Sequence, residues 1–134
     1  MFIWSDFFEL AKELKTSSGD DAKLRTSISR VYYYALHNSE EFCRAHRISI
    51  LESVSIEGRP EGSIHLRVIN TLRNHDDIDI VYAGQLLNNL KRLRGEADYK
   101  IALSNNKLIN DADIAIEYAE NIKNKFIMKL SSGG

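Results

Sequence analysis

At 134 residues with a formal net charge of −1, the chain fits one domain and lacks the global basic field that advertises nucleic-acid binding, so any RNA or DNA contact must be local. Apolar residues make up 43% and charged residues 28%, an ordinary globular balance, and no stretch approaches the roughly 18 apolar residues of a membrane span. Cys43 is the only cysteine, which excludes an internal disulfide and a cysteine-based zinc site and fits a reducing, cytoplasmic setting.

The opening residues, MFIWSDFFELAKELK, lack the basic lead and long apolar run of a secretory signal. Phe7, Leu10, Ala11 and Leu14 recur at helical spacing, so a first amphipathic helix is expected after Ser5. TSSGDD breaks it, and Asp20 or Asp21 can cap a second helix over about residues 21–46. There Leu24, Ile28, Val31, Ala35 and Phe42 fall within about 60° of one another, a core stripe. Residues 47–62 alternate Ile48, Ile50, Val54 and Ile56 with polar residues, and Gly58, Pro60 and Gly62 forbid a helix. An irregular or short extended excursion is expected there. Ser63 is placed to cap a third helix ending near Arg73. A fourth starts near Asp79, with Ala83, Leu86, Leu90, Leu93 and Ala97 on one side. SNNKLIN reads as a loop, and a last helix over about 111–130 carries Ala115, Ala119, Ile122 and Phe126, with Asp111 and Asp113 in its first turn and lysines in its last. The expectation is an all-α, up-and-down antiparallel bundle of about five helices, one domain over 1–130, with a flexible tail at 131–134.

The second helix carries the chemistry. Arg30 and His37 are seven residues apart, hence about 20° apart around the axis and roughly 10 Å along it. Both lie away from the apolar stripe, and Thr26, Tyr33, Glu41 and Arg44 share their side, with Tyr34 at its edge. A face so rich in aromatic and hydrogen-bonding groups is expected to meet something. Arg59 and His65 show a similar spacing, but Pro60 and Gly62 intervene, so placement selects the first pair. A guanidinium and an imidazole suit metal-free phosphodiester cleavage. Histidine moves a proton to or from a ribose oxygen, and arginine holds phosphate oxygens. One histidine does not easily serve both ends of that reaction, whereas a symmetric dimer would bring two such faces into one cleft. A solvated helix face, with Arg30 paired to an acid and His37 idle, accounts for the same residues.

At these residues the chain resembles the HEPN superfamily, in its small bacterial members of largely unassigned role. WSDFFELAKEL resembles the first helix of that family, LRTSISRVYYYALHNSEEF its long helix with an arginine, paired tyrosines and a histidine, GSIHLRVINTL its third and LRGEADY the end of its fourth. The resemblance implies a helical bundle that dimerises, and a metal-independent ribonuclease of toxin–antitoxin or antiviral systems with no cofactor or metal. Its motif of arginine, four to six residues and histidine falls on Arg30 and His37 as catalytic residues. Members often carry a polar residue after the arginine, where this chain has Val31. Other members are non-catalytic modules that partner a nucleotidyltransferase or another protein, or act with a cognate antitoxin. In some toxins a tyrosine is adenylylated by the partner enzyme, and Tyr99 and Tyr34 are the conceivable equivalents here. A plain helical oligomerisation domain is the remaining reading.

Arg94 leans about 40° from Leu90 toward the packed side, so it needs a partner, and Asp98 one turn later supplies one. That reads as a structural ion pair. Alternatively Arg94, Asp98 and Tyr99 border the Arg30/His37 cleft as supporting or substrate-binding residues, with Tyr33, Tyr34, Glu41 and Arg44. Basic groups cluster at Arg44, His46 and Arg47 and at Lys91, Arg92 and Arg94, either of which could follow an RNA backbone. His46 and His75 show no metal-ligand spacing, and His65, one turn into its helix, could equally pack against a neighbour.

Overall fold

The computed structural model describes residues 3–16, 19–50, 53–54, 60–61 and 64–132. Five helices lie among them: α1 (Trp4–Lys15), α2 (Asp21–Ala45), α3 (Ile64–Arg73), α4 (Ile78–Tyr99) and α5 (Asn105–Ser132). Between α2 and α3, β1 (Ser53–Val54) and β2 (Pro60–Glu61) pair antiparallel, with Ser53 opposite Glu61 and Val54 opposite Pro60. No helix among the described residues is long and apolar enough to cross a membrane.

Local chemistry sets the helix ends. Ile3, not Ser5, is the N-cap of α1. It has no capping oxygen, but the Asp6 carboxylate reaches back to accept its backbone N–H at 3.3 Å. Asp20 caps α2 by accepting from the Lys23 N–H at 3.1 Å, and Asp77 caps α4 by accepting from Asp79 at 2.9 Å. The α2 C-terminus closes as a Schellman turn: Ile48 N–H donates to the Cys43 carbonyl and Arg47 N–H to the Arg44 carbonyl. Arg47 sits in the left-handed region at φ 55°. The expected cap Ser63 lies outside the described residues.

The largest departure from the sequence reading is α5, which begins at Asn105, six residues before the expected start. SNNKLIN is not a loop. Ser104 Oγ accepts the Lys107 N–H at 3.1 Å, and Leu108, fully buried, continues the stripe through Ala112, Ala115, Ala119, Ile122 and Phe126. Asp111 and Asp113 therefore lie past the first turn and serve as partners instead of dipole acids, Asp111 to Lys107 at 2.8 Å and Asp113 to Lys15 of α1. At the far end α5 runs to Ser132, two residues into the segment expected to be a tail.

The predicted stripes of α2, α4 and α5 are all buried. In α1, Phe8 and Ala11 are buried, whereas Leu10 is 39% exposed, so the inward face is rotated from the expected one. α2 is the central element, packed by α1, α4 and α5, while α3 leans mainly on α4. Its far side is accordingly buried too, at Tyr32, Leu36, Ser39 and Cys43. Ser27 donates to the Ala11 carbonyl across to α1 and Ser39 to the Ala35 carbonyl within α2, so both buried hydroxyls are satisfied. Contacts fix the senses. Arg25 at the start of α2 meets the end of α4, and Lys125 late in α5 meets Asp79 at the start of α4. α4 thus runs antiparallel to both. Phe42 stacks on Phe126, late residues of α2 and α5, which lie parallel. α3 comes close to α4 at Gly84, where an added Cβ would sit 2.8 Å from Leu72 Cβ and 2.9 Å from the Arg73 backbone nitrogen.

Candidate functional site

Arg30 and His37 are both half-buried on one edge of α2, beneath the start of α1. The guanidinium carbon of Arg30 lies 4.7 Å from the Phe7 ring centroid. Phe7 meets Trp4 edge-on at 5.3 Å, and Trp4 lies flat on the His37 imidazole at 3.5 Å. The two predicted groups are thus the ends of one ladder, Arg30–Phe7–Trp4–His37. Its two middle rungs come from α1, one turn apart. A cation over an aromatic face gains about 0.5–2 kcal/mol, which holds the guanidinium in place without neutralising it. Arg30 makes no hydrogen bond or ion pair among the described residues, and its Nε is buried without a partner. The carboxylate nearest His37 belongs to Glu40, with Oε1 3.9 Å from Nδ1. This contact is too long for a hydrogen bond, and it places the acid on the Nδ1 side of the ring.

A second polar group lies around the same helix, between α2, α3 and α4. Arg94 Nη2 donates to the Tyr33 hydroxyl at 2.9 Å, and its Nε is 3.2 Å from Asp98 Oδ2, an ion pair whose N–H is not aligned on the oxygen. The expected Arg94–Asp98 pair is therefore present. Burial pulls the Arg94 pKa down, but the Tyr33 hydrogen bond and the Tyr33, Asp98 and Tyr99 oxygens outweigh it, and the net direction is up. His65 packs among Tyr32 and Tyr33, with ring centroids 5.8 Å away in each case. Burial, then the Arg94 charge, lowers its pKa, opposed by Glu40. Burial first, helped by Tyr33 and Glu40 and opposed by Arg94, raises the Tyr32 phenol to about 12, and that hydroxyl has no hydrogen-bond partner among the described residues.

Asp98 and Arg30 line one shallow concavity with Arg25, Thr26 and Ser29, so the α4 end does border the Arg30 side of the ladder. Tyr99 is 74% exposed, its ring centroid 6.0 Å from the Arg94 guanidinium. Glu41 and Arg44 are exposed on α2. Tyr34 departs from expectation. It is 3% exposed and stacked on Phe8 at 4.6 Å, because the rotated inward face of α1 places Phe8 over it. Its ring is a core element that contributes only a border to the surface.

Sequence reasoning missed Trp4, Phe7, Glu40 and Arg25. Arg25 Nη1 donates to the Ala97 and Lys100 carbonyls, the former at 2.8 Å, and Nη2 donates to the Ile101 carbonyl at 3.1 Å. It thereby supplies donors to the Ala97 and Lys100 carbonyls at the end of α4, and a second donor to the Ile101 carbonyl, which also accepts the Leu103 N–H at 3.1 Å. Trp4 and Phe7 carried a signal, since their i, i+3 spacing puts both on one face, but nothing local says which helix that face meets. Among the described residues no group of three His, Cys, Asp or Glu side chains could hold a metal ion.

The arrangement defines an all-α helical bundle whose central helix presents an arginine and a histidine at the two ends of a pair of aromatic rings. Protein-family models, curated proteins and solved structures contain no match to this chain.

Proposed function

We propose that this chain is a HEPN-type protein that cleaves RNA without a metal, working as a homodimer in a toxin or defence role. The observation that carries the reading is Arg30, a half-buried guanidinium with no carboxylate or other hydrogen-bonding partner among the described residues, on the same edge of α2 as His37. Half-burying an arginine whose Nε is out of water without an anion carries a cost, and a phosphate oxygen supplies the missing partner. His37 takes the proton from a ribose 2′-hydroxyl, and the 2′-oxygen attacks phosphorus. The 5′-oxygen leaves with a proton from the second copy's His37, giving a 2′,3′-cyclic phosphate and a 5′-hydroxyl. Arg30 holds the phosphate and offsets the charge that grows on it.

The test is expression of the wild type beside His37→Ala and Arg30→Ala, reading host growth, RNA integrity and the chemistry of the RNA ends. Growth arrest and cyclic-phosphate ends in the wild type, both reduced at least ~100-fold in either variant, are expected. A harmless wild type that leaves single-stranded RNA intact defeats the reading.

A second reading has its own support. Tyr99 and Ile101 are 74% and 95% exposed at the end of α4, an apolar pair suited to a protein contact. A non-catalytic module that binds a nucleotidyltransferase or another protein would use that end, and Tyr99→Ala with Ile101→Ser would then abolish complex formation while His37→Ala would not.

A further inference from the structure

The ladder has a neighbour. A concavity of about 520 Å³ lies where the start of α1, the middle of α2 and α5 come together, lined by Trp4, Tyr34, Asn38, Glu41 and Lys123, with Ile3 and Ser5 at its mouth. Trp4 is the wall it shares with the His37 stack. Three polar groups around it are unused. The Asn38 side-chain nitrogen is buried with no acceptor, and neither Glu41 nor Lys123 forms a hydrogen bond or ion pair among the described residues. A carboxylate and an ammonium on opposite walls that do not pair with each other leave a gap with an acceptor, a donor and an unsatisfied amide around an aromatic wall.

We infer that this concavity is a base-recognition subsite for guanine in single-stranded RNA. The inference rests on the RNA-cleaving reading and names what that site would select. A carboxylate accepts two parallel hydrogen bonds, and guanine alone among the four RNA bases offers two adjacent donors on one edge, N1–H and the 2-amino group. Its O6 lies beside them as the acceptor that the Asn38 amide lacks. Adenine and cytosine pair an exocyclic amine with an acceptor ring nitrogen, which a carboxylate repels. Uracil sets a single N–H between two carbonyls. Lys123 remains for N7 or a flanking phosphate, and the apolar walls take the ring.

Trp4 is the only tryptophan in the chain, so its fluorescence reports the wall between this concavity and His37, and the comparison among bases separates the two sides. The full-length protein is titrated with GMP, AMP, CMP and UMP, which share the phosphate and differ in the base. GMP is expected to saturate the signal at a concentration about tenfold or more below the other three, the discrimination one bidentate base contact supplies. Glu41→Gln, with unchanged helical circular dichroism, is expected to bring GMP to the level of the others. Equal response to all four nucleotides, no response to any, or a guanine preference that survives Glu41→Gln overturns the inference. RNA cleavage by wild type and His37→Ala is scored separately. A guanine preference in a protein that cleaves nothing retains the subsite and discards the ribonuclease, whereas cleavage with no such preference does the reverse.

Discussion

Arg47 occupies the left-handed position of the Schellman turn that ends α2, where glycine normally sits because it has no Cβ to clash. Arg47→Gly is expected to stabilise the fold by about 1 kcal/mol, seen as a higher urea midpoint at unchanged slope. A lower midpoint would mean that the arginine side chain contributes more than its backbone strain costs. His65 makes the second argument at this scale. Its folded pKa is lowered by burial first and by the Arg94 charge second, so the unfolded chain binds a proton more readily. The stability it contributes is complete above the unfolded value of about 6.5 and is lost as pH falls through the folded one. The urea midpoint of the wild type is expected to drop between pH 7.5 and 5.5 by more than that of His65→Phe. The identities of Arg30 and His37 and their shared edge were legible from a seven-residue spacing, because a helix fixes angle from sequence distance alone. Their aromatic cover was not, because it depends on which helix packs there, and that choice is made by Phe8 and Ala11 far from the pair.

Among the elements, α5 shows why periodicity read without caps misplaces boundaries. Its stripe continues back from Ala115 through Ala112 to Leu108, and Ser104 stands four residues before that leucine as the cap, but two adjacent asparagines gave the stretch the composition of a loop. Small alanines also weaken a hydrophobic stripe to the eye although they bury completely. The stripes of α2, α4 and the rest of α5 were legible because each includes bulky apolar residues at helical spacing, Leu24 and Ile28, Leu86 and Leu90, and Ile122 and Phe126, that fix the face its alanines share. Apart from its ion pair with Asp21 one turn earlier at 2.9 Å, Arg25 could not have been assigned from sequence, since the carbonyls it holds are 72 to 76 residues away. It holds the first turn of α2 to the last turn of α4. Arg25→Ala is expected to cost about 1–2 kcal/mol, because the Ala97 and Lys100 carbonyls then rely on water while that of Ile101 keeps only the Leu103 N–H, and to speed amide exchange in the last turn of α4 more than elsewhere. A uniform acceleration across all helices would instead show that the residue acts only on global stability.

For the molecule as a whole, the central place of α2 is what brings the candidate chemistry together. A helix packed on by α1, α4 and α5 has limited free surface, and several of the polar groups it carries fall in the seams between neighbours. Arg30 and His37 lie in the seam with α1, Tyr33 in that with α4 and α3, and Asn38 in that with α5. The all-α class followed from composition and period, but the seams did not, because they are properties of pairs of helices.

α1 docks almost wholly on α2 and scarcely touches α5. Its packing on α2 is the most extensive between any two helices described, so undocking α1 would uncover much of the central helix. Such an opening would strip the ladder of both middle rungs at once. The cover over the arginine and histidine is therefore tied to the core itself, through Phe8 stacked on Tyr34, the buried Ala11 and the Ser27–Ala11 hydrogen bond.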